Sequence, residues 1–208
     1  MIGLHAVGVG SLPRGSHAVA IPELAIDGPG IVLVRGPNGA GKSTLVELLA
    51  GGIRSGRGSV TVCGVPARSS AARRLRRVSR ADIALLPQVT LRRHAGLFAD
   101  AAGVAAATAI RSLVAEGLCA HLDARVSTLS TGEARRAWVR LTTLGPAPVL
   151  LLDEPFLGLD PPAASALHAR LEHWARERLV LLVDHGARRF SGSVRELHMG
   201  AGAACGRA

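Results

Sequence analysis

The sequence predicts an α/β fold built on a parallel sheet, and three observations predict it. Ile31–Val34, Val149–Leu152 and Leu179–Val183 are wholly apolar runs, which read as strands buried on both faces. Each leads directly into residues with chemistry: a glycine loop, a pair of carboxylates and an Asp-His pair. Between them lie segments with helical spacing and the Gly or Pro that stops a helix.

In chain order, a β segment runs to about Arg35. It is followed by Gly36-Pro37-Asn38-Gly39-Ala40-Gly41-Lys42-Ser43, which meets G-x-x-x-x-G-K-[ST] at every fixed position. Lys42 is the only lysine among 25 basic residues. A compact ammonium on a flexible stem reaches between β- and γ-phosphates inside a tight backbone cradle, where a planar guanidinium would not fit. Thr44–Ala50 continues as a helix and Gly51-Gly52 stops it. Strand, glycine loop and helix are the context this motif requires. The loop's N–H groups and the helix N-terminus bind phosphate, and the Ser43 hydroxyl is placed to ligate Mg²⁺. The expected ligand is a nucleoside triphosphate.

A turn-rich β stretch containing Ser59–Cys63 comes next. Arg73, Arg74, Arg76, Arg77 and Arg80 then form a run that reads as a solvated helix face. Ile83–Leu86 looks like a further strand leading to Gln88, and Leu91 to about Thr128 is rich in Ala and Leu and reads as helical. Leu129-Ser130-Thr131-Gly132-Glu133 is a helix N-cap pattern. Asp153 and Glu154 stand at the C-terminal end of a buried strand, where open α/β sheets bind ligands. Asp153 is placed to hold Mg²⁺ through its water shell, and Glu154 to accept a proton from attacking water. A helix from about Pro162 to Arg178 leads to the last apolar strand and His185, with the seven other histidines expected at the surface.

Composition bounds the rest. With 208 residues, 48% of them hydrophobic, the chain supports one well-buried domain over residues 1–199 and a glycine- and alanine-rich tail, read as disordered, over 200–208. No run reaches the ~18–20 apolar residues of a spanning helix, and no signal peptide is evident. The expectation is a cytoplasmic chain that reaches a membrane through a partner. Cys63, Cys119 and Cys205 match no metal pattern and read as incidental thiols. The formal charge of +10 admits anionic partners without naming one.

Taken together, these stations resemble the ATP-binding cassette (ABC) ATPases. The glycine loop and the Asp153-Glu154 strand are similar to that family's Walker A and Walker B, and Leu129–Glu133 is similar to its signature, with Thr131 and Glu133 in place of the usual Gly and Gln. The resemblance implies a RecA-like P-loop NTPase core with an N-terminal antiparallel β segment and an inserted helical subdomain at about 89–135. It implies Gln88 as the Q-loop glutamine touching Mg²⁺ and water, and His185 as the residue contacting the γ-phosphate and orienting Glu154. Asp160, in Leu157–Asp160, falls in the D-loop that crosses a dimer interface.

Ser130, Thr131, Gly132 and Glu133 would bind ATP held by the Lys42 loop, including Thr44, of a second ATPase subunit. The resemblance further implies a separate transmembrane permease, at the inner face of the cell membrane, and a role as the energy-coupling subunit of a transporter of the haem- or drug-exporter type. The alternative is a soluble ABC ATPase acting on ribosomes or nucleic acid. A GTPase would need a second lysine in its guanine reader, and a structural-maintenance ATPase a long coiled coil. The chain departs from the family in lacking an aromatic residue ahead of the loop to stack on adenine, His17 being the nearest candidate. It also departs in its short stretch from Gln88 to Leu129.

Overall fold

Strand β5 (Gly30–Arg35) shows how the core is organised. Ile31 and Leu33 face one layer of apolar side chains while Val32 and Val34 face another, because successive side chains leave opposite faces of a strand. β9 (Val149–Asp153) and β10 (Leu179–Val183) alternate in the same way, and all five residues of each are buried. These three strands belong to a parallel sheet of order β11-β5-β10-β9-β8, completed by β8 (Arg76–Ser79) and β11 (Val194–His198). The computed structural model describes residues 1–14, 17–186 and 188–200. Of the expected tail, residues 201–208, with Cys205, lie outside these, as does the His17 side chain.

One face of the sheet is covered by α1 (Lys42–Leu49) and by an antiparallel sheet of order β4-β1-β6-β7. Its strands are β1 (Gly3–Val7), β4 (Leu24–Asp27), β6 (Ser59–Val62) and β7 (Val65–Pro66). Leu45, Leu48 and Leu49 of α1 pack between the two sheets with Leu4 and Val62, each contributing about 1.5–3 kcal/mol by burial. A hairpin of β2 (Ser11–Arg14) and β3 (His17–Ala20) extends from this layer. The opposite face is covered by α6 (Pro161–Trp174), whose Leu167, Leu171 and Trp174 meet Ile31, Leu150 and Val180.

A third cluster belongs to the helices α3 (Leu91–Ala102), α4 (Ala106–Val114) and α5 (Thr131–Thr142), around Leu91, Leu113, Leu118 and Trp138. The parallel core, the antiparallel layer and this helical layer match the P-loop NTPase fold class expected.

Three local expectations are corrected. Ile83–Leu86 forms no strand; the edge strand is β8, which the arginines had disguised. The consecutive Arg76 and Arg77 leave opposite faces of this strand, and each is accommodated because its guanidinium reaches backbone carbonyls. The arginine run is not one solvated helix face: α2 (Ser70–Leu75) ends before Arg76. Arg76 is buried and donates to the Ala50 carbonyl, Arg77 donates to Leu144 O (2.5 Å) and Ala102 O (3.3 Å), and Arg80 pairs with Glu47. Finally, His94 is buried rather than on the surface. Its Nε2 accepts from Leu86 N (2.9 Å) and its Nδ1 lies 3.0 Å from Thr90 O, the pattern of a neutral ring. It thereby holds the chain that carries Gln88.

Candidate nucleotide site

Parallel pairing brings the chemistry together. Val34, Val183 and Asp153 are register partners at the C-terminal ends of β5, β10 and β9, so the residues that follow each strand emerge side by side. They surround a cavity of about 420 Å³ lined by Val19, Asn38, Gly39, Gly41, Lys42, Ser43, Glu154, Val183 and His185.

The loop from Gly36 opens α1 with Gly41 at its N-cap in the left-handed region (φ 93°) and no side chain capping it. The first N–H groups of α1 therefore carry no side-chain cap of their own. Only glycine serves at Gly41. A Cβ there would lie 1.9 Å from Val19 Cγ1. Lys42 is buried, and its ammonium donates to Gly36 O (2.9 Å) and Pro37 O (3.0 Å), curling back over the loop. Pro37, Asn38 and Gly39 are exposed, Ala40 is buried among the core residues, and Thr44 is buried on the helix behind the loop.

Asp153 and Glu154 meet the loop from β9. The Ser43 hydroxyl hydrogen-bonds Asp153, yet burial outweighs that bond and the Lys42 charge and pushes the Asp153 carboxyl above its ordinary pKa. Asp153 Oδ1 is buried without a hydrogen-bond partner. A hydroxyl beside an unpartnered buried carboxylate oxygen is a hard oxygen donor pair, the type Mg²⁺ takes alongside water and phosphate, so the residues fit that ion. Glu154 is a non-glycine residue in the left-handed region (φ 50°), with its N–H donated to Val183 O at 2.9 Å. Such strain persists where surrounding structure over-determines it. Burial also pushes the Glu154 carboxyl upward, against the pull of His185, whose Nε2 lies 3.0 Å from Oε1.

Other expected residues stand elsewhere in the chain. Gln88 does not line this cavity; it is exposed on the turn before α3, its amide oxygen 3.5 Å from Arg125 Nη1. Ser130 caps α5: its hydroxyl accepts from Glu133 N (3.3 Å) and donates to Glu133 Oε2 (2.8 Å), which also accepts from Ser130 N (2.8 Å). This capping box pulls the Glu133 carboxyl below its ordinary pKa. Thr131 and Gly132 touch Gly158, whose carbonyl is 3.1 Å from where a Gly132 Cβ would sit. Asp160 caps α6 through Ala163 N (2.8 Å). None of these lines the loop's cavity.

The chain as a whole is similar to known proteins. Residues 23–157 fit the sequence profile of ABC transporters. The chain belongs to the ABC transporter family. It is 39% identical over 158 residues to Nod factor export ATP-binding protein I of Bradyrhizobium diazoefficiens, covering 72% of this chain and 51% of that protein. The same-named protein of Paraburkholderia xenovorans is 35% identical over 163 residues, again covering 72% of this chain and 52% of its own length. The chain thus spans about half the length of these curated relatives. A solved ATP-binding subunit of an ABC transporter superposes with a TM-score of 0.76 at 28% identity, over 89% of this chain and 80% of that one. An ATP-binding cassette solved as a post-hydrolysis dimer with ADP and Pi shares the fold, with a TM-score of 0.73 at 17% identity over 89% and 88%. A domain of this ABC family binds ATP.

The contacts around the cavity show which supporting residues motif reading overlooked. Val19 closes the cavity from β3, some distance along the chain from the loop. Arg35 donates to Asp184 O (3.2 Å) and Gly186 O (2.7 Å), gripping the turn that presents His185. Arg188 pairs with Asp184 (2.9 Å) and lies over the Phe156 ring at 3.9 Å. Arg135 is buried on the signature helix, donates to Ala81 O (2.6 Å) and feels the charges of Asp82, Glu154 and Asp153. A lone Val or Arg at these positions carries no motif. Only the length of the β3 hairpin ahead of the loop could have pointed to Val19.

Proposed function

We propose that this chain is the ATP-hydrolysing subunit of an ABC transporter, acting as a head-to-tail pair beneath a separate membrane-spanning permease at the inner face of the cell membrane. One observation carries the reading: the Lys42 loop, Glu154 and His185 line one cavity at three adjacent strand ends, with Asp153 buried behind Ser43 at its wall. In the described residues no helix is long and apolar enough to cross a membrane, so cargo passage falls to the partner.

In this reading the backbone N–H groups of Gly36, Asn38 to Gly41 and Thr44 cradle the phosphates, with Pro37 shaping the loop and donating nothing, and Lys42 leaves its loop carbonyls for the β- and γ-oxygens. Ser43 and Asp153 would hold Mg²⁺, with Gln88 approaching on closure; the ion would offset charge developing on the phosphates. Glu154 accepts the proton of the attacking water, and the raised carboxyl pKa brings it nearer to operating pH. His185 holds Glu154 in place and reaches the γ-phosphate. The products are ADP and phosphate.

Ser130, Thr131, Gly132 and Glu133 complete the site of the opposite subunit, and Asp160 lies in the loop between the two. Their distance from the loop's own cavity supports this division of labour. The Nod factor export role named for the relatives favours export over import. The ribosome or nucleic-acid alternative loses its main support, because Arg76, Arg77 and Arg80 are engaged within the fold.

The test is purification of tagged Glu154→Gln protein from detergent-solubilised native cells with ATP and Mg²⁺. A multi-span membrane protein in near-equal amount is expected. Ribosomes or nucleic acid with no membrane protein would overturn the transporter role.

A further inference from the structure

We propose that a cavity walled by α4, the C-terminal end of α5 and the C-terminal end of α6 is an anion site for a phosphate-bearing ligand, distinct from the nucleotide cavity. It encloses about 470 Å³, and its lining includes Arg111, Ser112, Arg140, Thr143, Trp174 and Arg178. Arg178 immediately precedes β10 and Pro146 closely precedes β9, so this cavity opens at the N-terminal edge of the parallel sheet. The nucleotide cavity opens at the other edge, roughly 16 Å away along a five-residue strand. The two sites share no lining residue.

Uncompensated positive charge is what calls for an anion. Arg111, Arg140 and Arg178 line the space, and Arg170 stands behind Arg140. Among the described residues two carboxylates meet this group: Glu116 pairs with Arg170 and lies 3.6 Å from Arg140 Nε, and Glu177 adjoins Arg178 in sequence. Arg140 Nε is buried and has no hydrogen-bond acceptor. Arg178 makes no side-chain hydrogen bond or ion pair among the described residues, and only its sequence neighbour Glu177 offsets its charge. Burial holds Arg140 and Arg178 below the usual guanidinium range, and Arg170 and Arg178 repel Arg140 further. Desolvated like charges cost free energy until a counter-charge arrives.

Guanidinium chemistry selects the ligand. Planar forks donate in pairs to phosphate oxygens. The Ser112 and Thr143 hydroxyls are already donated to helix carbonyls at 2.6 and 2.7 Å, so the arginines supply the donors. Trp174, with Arg140 at 6.0 Å from its ring centroid, gives the cavity an apolar wall that can take the organic part of a phosphate ester. Arg111 and Arg140 belong to the helical layer, while Arg178 joins α6 to the parallel sheet. An occupant would therefore tie the two layers together. The same chemistry fits a free phosphate compound and the headgroup of an anionic lipid.

The experiment keeps the nucleotide site filled with Mg²⁺ and a non-hydrolysable ATP analogue. Inorganic phosphate is then titrated calorimetrically at about 0.1 M salt, where exposed charges are largely screened. In parallel, the chain is sedimented with phosphatidylcholine vesicles, with and without phosphatidylglycerol. Arg178→Ala and the exposed Arg111→Ala are compared with the unaltered chain; Arg111→Ala serves alone if Arg178→Ala fails to fold. Binding of phosphate that weakens roughly tenfold or more in either variant, with unchanged affinity for the ATP analogue, supports a free phosphate ligand. Phosphatidylglycerol-dependent sedimentation lost in the variants supports a headgroup. Failure of both probes to bind, or binding that survives both substitutions, overturns the proposal.

Discussion

His185 Nε2 stands 3.0 Å from Glu154 Oε1, joining the end of β10 to the residue after β9. The two are far apart in sequence, and only parallel pairing of their strands makes them neighbours. Glu154 is held from two directions, by this contact and by its N–H bond to Val183 O. That double restraint keeps a left-handed non-glycine backbone at the centre of the site.

Replacing Glu154 by Gln keeps the shape and removes the base. ATP turnover should fall at least about 100-fold, while the ATP-bound pair accumulates. Gel filtration with ATP and Mg²⁺ checks this: a monomer peak would count against the assigned role. In the unaltered chain the rate should rise with pH through a point above the ordinary glutamate value, because burial raises that carboxyl and only its ionised form accepts a proton.

Lys42→Ala removes the ammonium that Gly36 O and Pro37 O accept from, Pro37 O keeping only its bond from Ala40 N, and leaves the phosphates without a cation. Nucleotide binding or turnover should be lost. Unchanged ATPase rates in this variant would refute the loop assignment.

Asp153 offers a stability test with a definite sign. Its folded pKa is raised by burial, so its ionisation favours the unfolded chain. That contribution to stability is present below the unfolded pKa and lost as pH rises through the folded one. Asp153→Asn should therefore raise the melting temperature at neutral pH, by roughly 2–4 °C if about 1 kcal/mol is relieved, and give no gain in acid. Differential scanning at pH 7.5 and pH 4 distinguishes the two; an equal shift at both would contradict the burial argument.

Gly41→Ala must fit a methyl group 1.9 Å from Val19 Cγ1 at a φ of 93°. A cost of about 1–3 kcal/mol is expected, together with weakened nucleotide binding. Adding Val19→Ala should recover part of the steric component and none of the backbone component. A double-mutant cycle measures the split, and strict additivity would show that the two residues do not press on each other.

Ser130→Ala removes the hydroxyl that closes the capping box with Glu133. The fold should lose about 1 kcal/mol, and ATP-driven pairing should be lost with it. Analytical ultracentrifugation reads the pairing; an unimpaired ATP-bound dimer would remove Ser130 from the proposed intersubunit site.

Much of the core could be read from residue order. Each sheet strand that feeds the nucleotide cavity declared itself as an apolar run with no polar break, since a strand covered on both faces cannot carry one. The loop, carboxylates and histidine were found because each follows such a run. The edge strand β8 escaped, because its two consecutive arginines look solvated until the carbonyls of Ala50, Leu144 and Ala102 are seen to accept from them. His94 escaped too, since a buried neutral ring and a surface histidine look alike until Leu86 N is seen to reach it.

The sequence by itself determined which residues could do phosphate chemistry, because backbone freedom at glycine, the reach of one lysine and strand burial are local properties. Tertiary structure alone decided which of them share a cavity and what supports them. The order β5-β10-β9, the lid at Val19 and the Arg35 grip on the His185 turn all join segments distant in the chain. The fate of each arginine was decided the same way, since a guanidinium becomes structural or free according to the carbonyls and carboxylates that folding brings within reach.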